Sequence, residues 1–322
     1  NATWDFRAYA ATNFNSIGNI DLDGGNGFNL QLHNNNGGQV NIVGNIEDSN
    51  TATLDQANIS LQTLIAGDDI VIGDGFRVQS YGGAITYNSA DQIGLAQTLS
   101  GGGAINITAA GNIYDNSVTG SEIVTDGGVV TINAGGDVGG TSFAGAIEIR
   151  DSILDLNYSQ NNQNVWLIAG ATNSYLNIRD VDFNGAQGSN FNAQAQAGAD
   201  IIVSGDMYDS DTGIQDSVSV NLITTTNTGD ITIDNGATVR VGNGDVTLDS
   251  GNDLYFTGLF GGSITNLTAA NNIIDNGSIT LDIQTTGIVN MSAGGSVGLA
   301  GGDTTFDFSG GTYNLTMGAG DW

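Results

Sequence analysis

Gly244-Asp245-Val246-Thr247-Leu248-Asp249-Ser250-Gly251-Asn252-Asp253-Leu254 holds the fold in miniature. Apolar and polar residues alternate for one short run, a Ser-Gly-Asn-Asp cluster turns the chain, and an apolar residue starts the next run. A period of two puts Val246 and Leu248 on one side and Thr247 and Asp249 on the other, which is strand geometry and not the period of a helix. The phrase recurs as Gly229-Asp230-Ile231-Thr232-Ile233, Ala104-Ile105-Asn106-Ile107, Val129-Val130-Thr131-Ile132, Gln39-Val40-Asn41-Ile42-Val43 and Asp69-Ile70-Val71-Ile72. No segment reads as a helix.

These runs return about every 15 to 25 residues, and the clusters between them are too short for crossover helices, so successive strands stack instead of crossing over. The expected fold is all-β, a parallel β-solenoid. The absence of proline agrees, because an interior strand of a parallel ladder uses the N–H that proline lacks. The 50 glycines, with abundant Asn and Asp, supply tight corners between the faces of a coil. At roughly 20 to 25 residues per coil the chain is expected to make about 14 coils.

A longer period overlies the short one. Shifting the chain on itself by about 161 residues brings Gly44, Asp48, Ser49, Thr51 and Asp55 onto Gly205, Asp209, Ser210, Thr212 and Asp216. It also sets Asp69-Ile70, Ile72, Gly75, Val78 and Gly83 on Asp230-Ile231, Ile233, Gly236, Val239 and Gly244. After one-residue slips, Thr108-Ala109-Ala110 faces Thr268-Ala269-Ala270, and Ala134-Gly135-Gly136 faces Ala293-Gly294-Gly295. Two tandem copies of one multi-coil unit are expected, residues 1–160 and 161–322, continuous with each other. Trp4, Trp166 and Trp322 fall near the start of successive copies, so the chain is expected to be a window on a longer repeat protein or a subunit that continues end to end.

Composition closes several routes to function. The formal charge is −29, with 5 basic residues, all arginine, against 34 acidic ones. Such a surface repels a phosphate backbone or an anionic lipid face, so neither nucleic acid nor membrane insertion is an expected partner. Without cysteine there is no disulfide framework, thiolate site or Cys nucleophile. Without lysine there is no Schiff-base chemistry. His33 is the sole histidine, so a Ser-His-Asp triad has one possible base and any site needing two histidines is excluded.

The phrases Gly229–Ile233, Gly244–Leu254, Ile107–Ile113 and Val130–Val138 resemble the degenerate coil repeats of filamentous-haemagglutinin-like exoproteins, over most of the chain. The resemblance implies a right-handed parallel β-helix in an exported bacterial surface adhesin. It is one of repeat style and carries over no functional residue. The Asn-Pro signatures of that family's secretion domain are absent, as they must be in a chain without proline, so the match is to the shaft.

Asp209-Ser210-Asp211-Thr212-Gly213 has the opening rhythm of a calcium loop, but Gly213 and Ile214 break it and no acid closes it, so a solvated corner is expected. Gly24-Gly25-Asn26-Gly27-Phe28-Asn29 resembles a β-roll nonapeptide but occurs once. Arg150-Asp151 and Arg179-Asp180-Val181-Asp182, with Asp21 as the repeat partner of Asp182, are the nearest approach to the Asp/Arg clusters of β-helical polysaccharide enzymes; ordinary corner pairing is expected. Asn-x-Ser/Thr triplets at Asn1, Asn58, Asn106, Asn157, Asn266, Asn276, Asn290 and Asn314 are as many as chance supplies. The tryptophans are expected to stack inside the coil, and Thr224-Thr225-Thr226 is too local for an ice-binding face. The expectation is therefore no catalytic, cofactor-binding or metal residue, with weak nonspecific Ca²⁺ association only. The expected role is a non-enzymatic extracellular structural protein, the shaft of a bacterial surface fibre or adhesin. Its expected partners are itself, end to end or along the same chain, and surface glycans or other cells. The alternative is a β-helical polysaccharide-degrading enzyme or carbohydrate-binding module.

Overall fold

The computed structural model describes residues 3–8, 14–23, 27–50, 56–118, 120–158, 160–170, 174–210, 216–277, 282–298 and 306–318. It is all-β, a parallel β-solenoid of about 11 turns. A single 3-10 turn, Phe143–Gly145, is the one helical element among the described residues, and no helix is long and apolar enough to cross a membrane. The turns are fewer than the coil estimate of about 14 because several coils are long: Leu30 stacks on Ile59, Ile201 on Ile231 and Met207 on Val239. Corners absorb the extra residues without disturbing the ladders.

The chain forms two compact units, Asn1–Asp155 and Leu156–Trp322; the boundary expected from the repeat lay between 160 and 161. In the first, each coil contributes to three parallel ladders. One stacks Thr3–Ala8, Phe28–Asn34, Ala57–Thr63, Ile85–Ser89, Ile105–Ala109 and Val129–Ala134. Another stacks Phe14–Ile17, Val40–Ile42, Ile70–Ile72, Ile93–Leu95 and Ile113–Asp115. The third stacks Ile20–Asp21, Ile46–Glu47, Arg77–Ser80, Gln97–Ser100, Ile123–Val124 and Ile147–Arg150.

The second unit repeats the plan. Its ladders run from Asn164–Gly170 to Thr312–Met317, from Tyr175–Asp182 to Ile273–Asp275, and from Met207–Tyr208 to Phe308–Ser309. Alternation does the sorting: in Val246–Ser250 the residues Val246, Leu248 and Ser250 are buried, and Thr247 and Asp249 face out. Like residues then stack, as Leu222, Leu248 and Leu267 do on one inner column. Each fully buried Ile, Leu or Val contributes about 1.5–3 kcal/mol.

Two devices tighten the corners. The first is close approach of backbone. A Cβ on Gly83 would collide with the Ala57 carbonyl, and one on Gly103 with the Gly83 carbonyl, so these glycines are required for contact and not for positive φ. The second is a side-chain acceptor that takes the N–H of the next coil. Asp200 Oδ1 accepts from the Asp230 N–H at 2.9 Å, Asp230 from Asp253 at 3.1 Å, Asp253 from Asn272 at 2.9 Å, and Asn272 from Ser296 at 2.9 Å. The hydrogen-bond ladder thus continues through corners where strand pairing lapses, and many of the acidic residues serve as fasteners.

Candidate functional site

On the third ladder of the second unit, Met207, Val239, Leu259 and Ile283 point inward and the residue after each points out. Register places Asp182, Tyr208, Arg240, Phe260, Gln284 and Ser309 on one outward line, one residue per coil. The Arg240 guanidinium lies over the Phe260 ring, 4.7 Å from its centroid, and its Nε donates to the Thr238 hydroxyl at 3.4 Å. No carboxylate pairs with Arg240 within 4 Å among the described residues.

Two adjoining hollows flank the line and share Arg240 and Gly242. One, of about 270 Å³, is lined by Asp206, Tyr208 and Asp209. The other, of about 430 Å³, is lined by Phe260, Gln284 and Thr285. The negative field around Asp180, then partial burial, then Asp182 and Asp206 hold the Tyr208 phenol above its ordinary pKa.

The corresponding line in the first unit is Asp21, Glu47, Gln79, Leu99, Val124 and Arg150. The frames agree but the side chains do not: Glu47, Gln79 and Leu99 stand where Tyr208, Arg240 and Phe260 stand. Sequence reasoning missed this column because its members lie a full coil or more apart. The signal was present in the positions where the 161-residue alignment keeps the frame and changes the residue.

A second feature occurs in both units. Glu122, only 3% exposed, accepts the Glu148 N–H at 2.6 Å, and its own carbonyl accepts from Thr98 at 2.7 Å. Asp282, 1% exposed, accepts the Asp307 N–H at 2.8 Å, and its carbonyl accepts from Leu259 at 2.7 Å. Burial pushes Glu122 up to about 8 and raises Asp282 as well.

The residues singled out from sequence are placed as follows. Asp21 accepts both the N–H and hydroxyl of Ser49, and Asp182 does the same for Ser210, so these aspartates fasten corners. Arg150 Nε lies 3.5 Å from Asp151 Oδ2, while Arg179 and Asp180 are exposed on the strand Tyr175–Asp182. His33 has Arg7 and Gln62 as ladder neighbours; burial first, with the Arg7 charge, lowers its pKa against the raising field of Asp5. In the loop weighed for calcium, Asp209 accepts the Asp216 N–H at 2.9 Å and Ser210 binds Asp182, while Asp211–Gly213 lie outside the described residues. Gly24–Asn26, Asn1 and Trp322 also lie outside them.

The core placement expected for tryptophan fails at Trp166, which faces outward beside Asn192. Trp4 is on the inner row, edge-on to Phe28 at 4.7 Å, yet 48% exposed. The two are not equivalent: Trp4 stands in the frame of Val165, one residue from Trp166, and in a strand one residue reverses the face. Thr224 is buried, and its hydroxyl donates to the Gly229 carbonyl and accepts from the Gly251 N–H, both at 2.7 Å. Asn266, Asn290 and Asn314 stack outward and pass a hydrogen bond down the column at 2.9 Å per step. Among the described residues no three His, Asp or Glu side chains gather as a metal site.

Comparison with protein-family models, with curated proteins and with solved structures gave no match.

Proposed function

We propose that the chain is a structural solenoid, non-enzymatic and extracellular, forming the shaft of a bacterial surface fibre or adhesin of the filamentous-haemagglutinin-like kind. It is built from two tandem copies of a unit of about 161 residues, and further copies continue it, in the same polypeptide or end to end. The observation that carries this reading is the repetition of individual hydrogen bonds at the unit spacing. Thr63 and Thr224 tie the same corner, to Asp68 and Ala90 in one case and to Gly229 and Gly251 in the other. Ser89 donates to the Gln92 carbonyl as Ser250 does to that of Asp253. Asn116 reaches the Ile72 carbonyl, and Asn276 that of Ile233.

A sequence that keeps such contacts through two copies is organised for stiffness and continuation. The test is intact mass with negative-stain imaging of material from its source. Unbranched fibres are expected, made either of a polypeptide far heavier than 32.9 kDa or of 32.9 kDa subunits. Monodisperse short particles overturn the proposal.

A further inference from the structure

We infer that the outward line Tyr208–Arg240–Phe260–Gln284 binds a neutral glycan, an extended β-1,4-linked pyranose chain lying across successive coils. This goes beyond the shaft reading and does not depend on it. The two aromatic rings stand two coils apart on one straight column, about 9.6 Å at ~4.8 Å per parallel strand. That spacing is close to the disaccharide repeat of a flat β-1,4 ribbon, in which every second ring presents the same face. A pyranose carries an apolar C–H face and an equatorial belt of hydroxyls, and an aromatic side chain offers the complementary apolar surface with a polar rim.

The polar groups suit the hydroxyl belt. The Arg240 guanidinium lies over the Phe260 ring with its Nε on Thr238 and has no acid within salt-bridge distance among the described residues, so its remaining N–H donors are available to sugar oxygens. Asp206 and Asp209 line one side, and the Gln284 side chain supplies amide donors and an acceptor on the other. Charge selects among glycans. A polyuronate would meet Asp182, Asp206 and Asp209 on a chain of net charge −29. A neutral chain meets no such penalty. The first unit acts as an internal contrast, since Glu47, Gln79 and Leu99 in the same frame provide no pair of rings and no free guanidinium.

The experiment is calorimetric titration of the full chain with cellohexaose, with hexagalacturonate as the polyanionic comparator. Saturable binding of cellohexaose is expected. Tyr208→Ala and Phe260→Ala should each weaken it about tenfold, as should Arg240→Ala, whereas Tyr208→Phe and Phe260→Tyr should retain it. Gln79→Ala, at the equivalent place in the first unit, should leave it unchanged. Circular dichroism of each variant confirms the fold. Absence of cellohexaose binding, equal loss with Gln79→Ala, insensitivity to removal of either ring, or tighter binding of hexagalacturonate overturns the inference.

Discussion

Replacing Glu122 by glutamine isolates the cost of enclosing a carboxylate in a corner. Burial is the main reason its carboxyl is pushed up from 4.5 to about 8; the Glu148 N–H opposes the shift, and the charges of Asp115 and Glu148 add to it. A folded-state pKa above the unfolded one gives a contribution to stability that is complete below about pH 4.5 and is lost as pH rises through about 8. At 1.36 kcal/mol per unit the limit is ~4–5 kcal/mol. Solvent relaxation beside a surface corner reduces this to ~2–3 kcal/mol. Glutamine keeps an oxygen for the Glu148 N–H and never ionises. Urea midpoints measured at about pH 5, 7 and 9 should converge for the two proteins near pH 5 and separate by ~2–3 kcal/mol near pH 9, with the variant more stable. Taking the difference at each pH removes the general repulsion of a −29 chain. Parallel curves, with the same difference at every pH, would refute the reasoning, because they would mean that Glu122 ionises as an ordinary surface acid.

Asp282→Asn should show the same sign, with stability gained relative to the parent as pH rises above the ordinary aspartate range, read by the same midpoints. Thr63→Val and Thr224→Val each take the acceptor from a part-buried N–H, that of Ala90 or Gly251, and should cost ~1–3 kcal/mol apiece by chemical denaturation; costs differing by more than ~1 kcal/mol would count against equivalence of the two corners. Gly103→Ala drives a methyl into the Gly83 carbonyl and should cost ~1–3 kcal/mol or more, measured by thermal unfolding. Raising the salt from low ionic strength should raise the melting temperature, because screening relieves the repulsion of 34 acids by 34 acids with only 5 arginines among them.

The fold was legible because alternation and corner chemistry act locally: Val246–Ser250 and Ile231–Ile233 are strands where the residues alternate, and the Gly-Asn-Asp clusters turn. Facing was less legible. Trp166 and Val165 differ by one position, and stacking register alone decides which enters the core. The acids misled in a different way. Asp182 and Asp209 resemble parts of a catalytic or calcium cluster, but Asp182 accepts the N–H and hydroxyl of Ser210 from the next coil, and Asp209 the N–H of Asp216 further along its own corner. Tyr208, Arg240 and Phe260 were harder to read because coil length varies, so no fixed spacing joins them within the unit and only pairing puts them in line.

The corner fasteners have a consequence for how such a chain fails and how it drifts. Each joins a coil to the one beside it: Asp230 holds Asp253, which holds Asn272. Coupling of that kind has a short correlation length, so a lesion in one coil is felt by its neighbours and fades beyond them. A point change, a nick or a pulling force then opens a local bubble, as in a ladder polymer, and the flanking coils keep their register. Side chains facing solvent are free to differ one coil at a time, so one unit can carry Tyr208, Arg240 and Phe260 where the other carries Glu47, Gln79 and Leu99.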